Sequence, residues 1–184
     1  MKEIALKIGS PVPLTAIINT PQELDSSKPA ILIFNSGVMH HVGSCRLSVK
    51  IARQLAKDDL LSVRFDFSGI GDSGNRSGAL SFHESATAEI KEVMNYLERK
   101  RGINRFIVYG LCSGADASYD IALADTRVIA MVQIDPYCYQ TWKWYVRHYG
   151  PKLFKLSVWI GFFARRLNKE QKTKGFSESI DQSD

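Results

Sequence analysis

At 184 residues the chain is long enough for one domain with a sizeable core, and at 45% hydrophobic and 23% charged residues it has an ordinary globular composition. No apolar run reaches transmembrane length, and the opening MKEIALKIGS alternates charged and apolar residues, so it reads as neither a signal peptide nor an anchor. The net charge of +5 lies wholly in residues 141–184 (9 Lys+Arg against 4 Asp+Glu, with 15 of each before them), which argues against a general nucleic-acid-binding surface.

Three cysteines, Cys45, Cys112 and Cys138, are too few and too odd in number for a disulfide framework, and a reducing cytoplasm is the expected compartment. In chain order, EIALKI and PLTAIINT alternate apolar and polar residues around GSPV and predict an antiparallel strand pair. AILIF (30–34) is the continuous apolar run of a strand buried on both faces. RLSVKIARQLAK (46–57) places Leu47, Ile51 and Leu55 at helical spacing, and SVRFDF (62–67) is the next strand. EIKEVMNYLERK (89–100) is a helix by the spacing of Ile90, Val93, Met94 and Leu97. FIVYG (106–110) is a buried strand, Ser113 to Ala124 a helix rich in small residues, and VIAMVQI (128–134) a sixth strand. Strands alternating with helices predict an α/β fold, doubly wound around a mostly parallel sheet.

Sites in such sheets form beyond the carboxyl ends of the strands, and three of those ends carry unusual sequence. YGLCSGAD (109–116) fits a nucleophile elbow, Gly-x-nucleophile-x-Gly between a strand and a helix, with Gly110 and Gly114 flanking Cys112. Ser113 would then offer a backbone N–H to an oxyanion hole; the competing reading is a buried cysteine in a glycine-rich turn. FDFSGIGDSG (65–74) meets a dinucleotide-loop spacing at Gly69, Gly71 and Gly74, but no helix opens directly behind it and no ribose-binding acid follows at a strand end. FNSGVMHHVGS (34–44) can present a second oxyanion N–H from Gly37 or Val38, and holds His40 and His41 as candidate bases.

The order FNSG, RFDFSGIGDSG, YGLCSGAD, VQIDP resembles the α/β-hydrolase superfamily over roughly residues 28–145. The closest flavour is the bacterial serine-aminopeptidase-like branch, including hydrolases found beside exosortase systems. The resemblance implies an elbow nucleophile, with Cys112 standing where serine is usual, as in dienelactone-hydrolase-like members with a Cys-His-Asp triad. It also implies a sixth-strand acid, for which Asp135 is the candidate beside a purely structural reading. A thiolate nucleophile is sound chemistry when a base or a helix N-terminus favours it.

Two things the resemblance implies have no match. The family has eight strands where about six are read here, so the last two are missing and the chain reads as truncated. The catalytic histidine should follow the last strand, whereas only His148 lies beyond the elbow, in an aromatic basic stretch. VIAMVQI would then be an exposed apolar sheet edge, a site for self-association by strand pairing unless something covers it. Residues 141–172 hold eight Lys+Arg, one acid (Glu170) and all three tryptophans. They read as a helical cap, a membrane-surface helix for anionic lipid, or a self-association surface.

The expected organisation is a core over 1–138, a basic aromatic cap or extension over 139–170, and a disordered tail over 171–184. The expected function is a hydrolase or acyltransferase acting on an ester, thioester or amide of a small acyl substrate, impaired in this chain for want of a base. The alternatives are an inactive remnant and a peripheral membrane or partner-binding protein. No cofactor or metal is expected.

Overall fold

The computed structural model describes residues 1–76, 80–137 and 141–153. It divides into two compact units, Met1–Tyr137 and Cys138–Asp184. In the first, strands β1 (Lys2–Ile8), β2 (Leu14–Thr20), β3 (Ala30–Ile33), β4 (Ser62–Phe65), β5 (Phe106–Leu111) and β6 (Val128–Ile134) form one sheet in the order β1-β2-β4-β3-β5-β6. The first two pair antiparallel, β2 meets β4 antiparallel, and β4, β3, β5 and β6 run parallel. A short 3-10 turn, Ser44–Arg46, leads into helix α1 (Leu47–Lys57); α2 (Phe82–Arg101) and α3 (Ser113–Ala124) follow β4 and β5.

The apolar run of β3 is explained by the alternation of strand side chains. Ala30 and Leu32 join the larger core with Ile90, Val93, Met94 and Leu97 of α2 and Ala117 and Ile121 of α3. Ile31 and Ile33 face the other way, with Ala52, Ile51 and Leu55 of α1. Helices on both faces make the sheet doubly wound, as predicted. Each fully buried Leu, Ile or Phe of these cores contributes about 1.5–3 kcal/mol.

Helix α2 begins seven residues before the predicted Glu89 start, since SFHESAT lacks an apolar stripe. Its start is fixed instead by a capping box, in which the Ser81 hydroxyl accepts from the Glu84 N–H and the Glu84 carboxylate accepts from Ser81 N–H. Among the described residues β6 is the sheet edge, and Ile129, Met131, Val132 and Ile134 are between 43% and 47% exposed. In the second unit, α4 (Trp142–Leu153) stacks Trp144 on His148 one turn later, at 4.6 Å. Residues 154–184, with the rest of the predicted extension and its tail, lie outside the described residues, as does Cys138. Among the described residues no helix is long and apolar enough to cross a membrane.

Candidate active site

The chain turns sharply between β5 and α3. β5 ends at Leu111 and α3 opens at Ser113, leaving Cys112 alone between them with φ 54 and ψ −121. A non-glycine residue there is strained, by about 1–3 kcal/mol, and such strain collects at functional sites. The turn closes through Cys112 C=O, which accepts from Ala115 N–H at 2.8 Å. Both glycines are required by close approach. A Cβ on Gly110 would overlap the Gly114 carbonyl and the Ala115 nitrogen, and one on Gly114 would strike the Asn35 carbonyl oxygen.

Cys112 is exposed, at the head of a helix whose first N–H groups have no intrahelical acceptor. The loop after β3 lies directly against it: Gly37 N–H donates to Ser113 Oγ at 2.8 Å. That bond brings Gly37 and Val38 to the elbow, with Val38 89% exposed. On the other side, Cys112 N–H donates to Ile134 C=O at 2.9 Å, which puts the end of β6 beside Cys112. Asp135 follows there, exposed and at φ 52. Asp116 has a local role, accepting Tyr137 N–H at 2.9 Å and tying down the chain beyond β6.

The two adjacent histidines part company. His40 lines a narrow cleft with Tyr109 and Leu111 on the elbow side. His41 turns to Asp66, its Nδ1 2.7 Å from the carboxylate; because a carboxylate only accepts, Nδ1 carries the proton. His148 belongs to the second unit. Among the described residues, no histidine is hydrogen-bonded to Cys112. His83, which the sequence reading passed over, pairs with Asp120 at 2.8 Å across α2 and α3, in an exposed position. Its S-x-x-E helix start was legible, but the pairing depends on how the two helices pack.

The residue that sequence reasoning missed is Asp66, just beyond β4 and fully buried. Its carboxylate accepts from Asn35 Nδ2 at 2.9 Å, His41 N–H at 2.5 Å, His41 Nδ1 at 2.7 Å and Asp72 N–H at 3.1 Å. Asn35 Oδ1 in turn accepts Phe67 N–H at 2.7 Å, and Ser73 Oγ donates to Asp66 C=O at 2.6 Å. The FDFSGIGDSG glycines therefore serve a turn wrapped around this carboxylate: a Cβ on Gly71 would overlap it, and Gly69 and Gly74 close the turn on each other. Burial by itself would raise the Asp66 carboxyl, but the bonds from His41, Asn35 and Asp72 outweigh it and hold it below the usual carboxylate range. His41, Asp66 and Asp72 also lie close enough together to suggest a cation, but the carboxylate is already saturated by these donors.

These features sit on a sheet that solved structures share. Similar to this chain are an α/β hydrolase from Penicillium sp. sh18 (TM-score 0.63, 16% identity, 91% of this chain and 55% of that one) and an α/β serine hydrolase without a lid from Xanthomonas campestris (0.58, 22%, 74% and 62%). An α/β serine hydrolase homologue from Coxiella burnetii matches over 73% of this chain and 62% of its own length, at TM-score 0.58 and 20% identity. The chain has the α/β-hydrolase fold. It spans between about half and two thirds of the length of these α/β-hydrolase structures. No family model and no curated protein matches the sequence. Within this fold the β3 loop and the β6 end both meet the turn at Cys112, and the buried Asp66 ties down the β3 loop.

The strain at Cys112 gives a first expected result. Cys112→Gly should unfold at higher denaturant than Cys112→Ser, by about 1 kcal/mol, because glycine accepts this dihedral pair without penalty while losing some entropy advantage. Urea unfolding of the two variants checks it; equal midpoints would mean that the elbow is unstrained.

Proposed function

We propose that this chain carries a cysteine-nucleophile acyl-transfer site, of the serine-aminopeptidase-like branch, acting on an ester, thioester or amide. The observation that carries the reading is the strained, exposed Cys112 between β5 and α3. The Cys112 thiolate would attack the acyl carbon, and the oxyanion would be met by the N–H of Ser113 and that of Gly37 or Val38. Gly37 N–H is occupied by Ser113 Oγ, so its use requires that bond to exchange, whereas Val38 N–H is free of an acceptor among the described residues. The leaving alkoxide, thiolate or amine takes the proton given up by the thiol, and the acyl group stays on sulfur until water or another acceptor removes it. In this reading Asp135 at the β6 end would orient a base, and His40, which lines the cleft with Tyr109 and Leu111, would be that base.

Among the described residues no histidine is bonded to Cys112, and a thiol without a positioned base forgoes a general-base contribution of about 10²–10⁴-fold. The full chain is therefore expected to release one equivalent of p-nitrophenolate from p-nitrophenyl acetate and then to turn over slowly or not at all. The burst should vanish in Cys112→Ser. Iodoacetamide with peptide mapping should label Cys112 ahead of Cys45, although both are exposed. Preferential labelling of Cys45, or a burst that survives Cys112→Ser, would refute the assignment. Sustained turnover lost in His40→Ala would instead identify His40 as the base.

A second reading is favoured by α4, where Trp142 is 79% exposed and Val146 51%. In it, the basic aromatic segment 139–170 meets an anionic membrane surface, each Lys or Arg adding about 1 kcal/mol. Co-sedimentation with anionic vesicles that weakens with salt would support it. No binding to anionic vesicles at low salt would leave the segment to the cap reading.

A further inference from the structure

A cavity of about 430 Å³ lies away from the elbow, between the sheet face of β2 and β4, helix α1 and the loop after β3. It is lined by Ile17, Val42 and Val49 on its apolar side and by Arg46, Arg53, Arg64 and His41 on the other. No elbow residue lines it, and β3 separates its strands from β5.

The charge in this cavity is not balanced. Glu3 is the only acid bonded to these arginines among the described residues, and it is mainly the partner of Arg53, which reaches it through Nε and Nη2 at 3.2 and 2.9 Å. The Arg53 bond comes first among the causes that bring the Glu3 carboxyl down to about 2, so Glu3 is ionised and spoken for. Arg64 is left with one long contact, Nη2 to Glu3 at 3.5 Å. Its side chain is 7% exposed and its Nε has no hydrogen-bond partner. A guanidinium has five N–H donors, and a buried charge with so few partners is costly to desolvate.

The Arg46 side chain makes no hydrogen bond among the described residues and reaches the cavity from a backbone at φ 60, directly after Cys45 at φ 50. Two consecutive non-glycine residues in the left-handed region are costly, and here they set the start of α1 and the direction of Arg46. Burial and strain are thus both spent on arginines that have almost nothing to bind.

We propose that this cavity is a binding site for a small organic oxyanion, a phosphate monoester or carboxylate with a short apolar body. The head group bridges Arg64 and Arg46, where planar guanidinium forks suit two oxygens. The apolar body lies on Ile17, Val42 and Val49. His41 donates from Nδ1 to Asp66, and in the neutral tautomer Nε2 is left to accept a hydrogen bond from a hydroxyl on the ligand. The same His41 bond ties the cavity to the Asp66 network that holds the β3 loop against the elbow. The site does not depend on Cys112 being a nucleophile.

The test is calorimetric titration of the full chain with phenyl phosphate, benzoate and inorganic phosphate, at ionic strength held constant with NaCl. Saturable binding of phenyl phosphate or benzoate with Kd on the order of 0.1–1 mM is expected, weaker for inorganic phosphate, which lacks the apolar body. The stronger of the two organic probes tells which head group the site prefers. Arg46→Gln, on an exposed side chain, should weaken binding about tenfold while leaving the circular dichroism unchanged, and Arg64→Met should weaken it further. Binding should be unaltered in Cys112→Ser. No saturable binding of any probe, affinities unchanged in both arginine variants, or loss of binding in Cys112→Ser would overturn the proposal.

Discussion

Asp66→Ala is expected to cost about 3–5 kcal/mol, because it removes a buried charge and strands its donors. Asn35 Nδ2 would retain only its bond to Met39 C=O, and the N–H groups of His41 and Asp72 and Nδ1 of His41 would lose their acceptor. For a chain of this size that is a fall in Tm on the order of 10 °C, measurable by thermal melting. Asp66→Asn should be milder, since one amide oxygen can still accept from part of the set. A loss below about 1 kcal/mol in Asp66→Ala would show that the carboxylate is dispensable to both loops.

The same network predicts a pH dependence. The Asp66 carboxyl is lower in the folded chain than in the unfolded one, so the unfolded state takes up protons first as pH falls. Its contribution is therefore complete above the ordinary carboxylate range, near pH 4, and is lost as pH drops through the folded value. Glu3, brought down to about 2 chiefly by Arg53, acts in the same direction, weakened by solvent at its exposed position. Denaturant midpoints should thus be flat from neutral pH to about 5 and decline below it, and the decline should be shallower in Asp66→Asn.

Gly110→Ala is expected to be the most damaging substitution at the elbow. The added Cβ meets only backbone, the Gly114 carbonyl and the Ala115 nitrogen, so no side chain can swing aside and α3 itself must move off the sheet. Overpacking of this kind should cost about 3 kcal/mol or more, and should slow iodoacetamide labelling of Cys112 relative to Cys45 if the variant folds. Gly114→Ala would press on the Asn35 carbonyl instead, displacing the β3 loop and with it Gly37 and Val38. Gly150→Ala is the matched control: nothing lies near its Cβ position and it sits within α4, where alanine is favoured by up to about 1 kcal/mol. If Gly110→Ala and Gly150→Ala unfold at the same denaturant concentration, the close packing of strand and helix at the elbow is not what the glycine is for.

Much of this protein is determined by local pattern in the chain. The strands are short apolar or alternating runs, and Ile90, Val93, Met94 and Leu97 repeat at helical spacing, so both element types follow from side-chain periodicity alone. The elbow is equally local: five consecutive residues supply the two glycines, the nucleophile position and the first turn of α3. The edge position of β6 among the described residues followed from counting strands.

What the tertiary structure decided is everything that joins distant segments. His40 and His41 are neighbours in sequence with the same chemistry, and only the packing of the β3 loop sends one towards the elbow and the other to Asp66. Asp66 itself looked like part of a glycine-rich loop, because its role is to accept hydrogen bonds from residues up to 31 positions away. The arginine-lined cavity needs β2, β4, α1 and the β3 loop to converge, and Arg46, Arg53 and Arg64 show no common spacing along the chain. A hydrogen bond or an ion pair depends on distance in space, whereas periodicity records only which face of its own element a residue occupies.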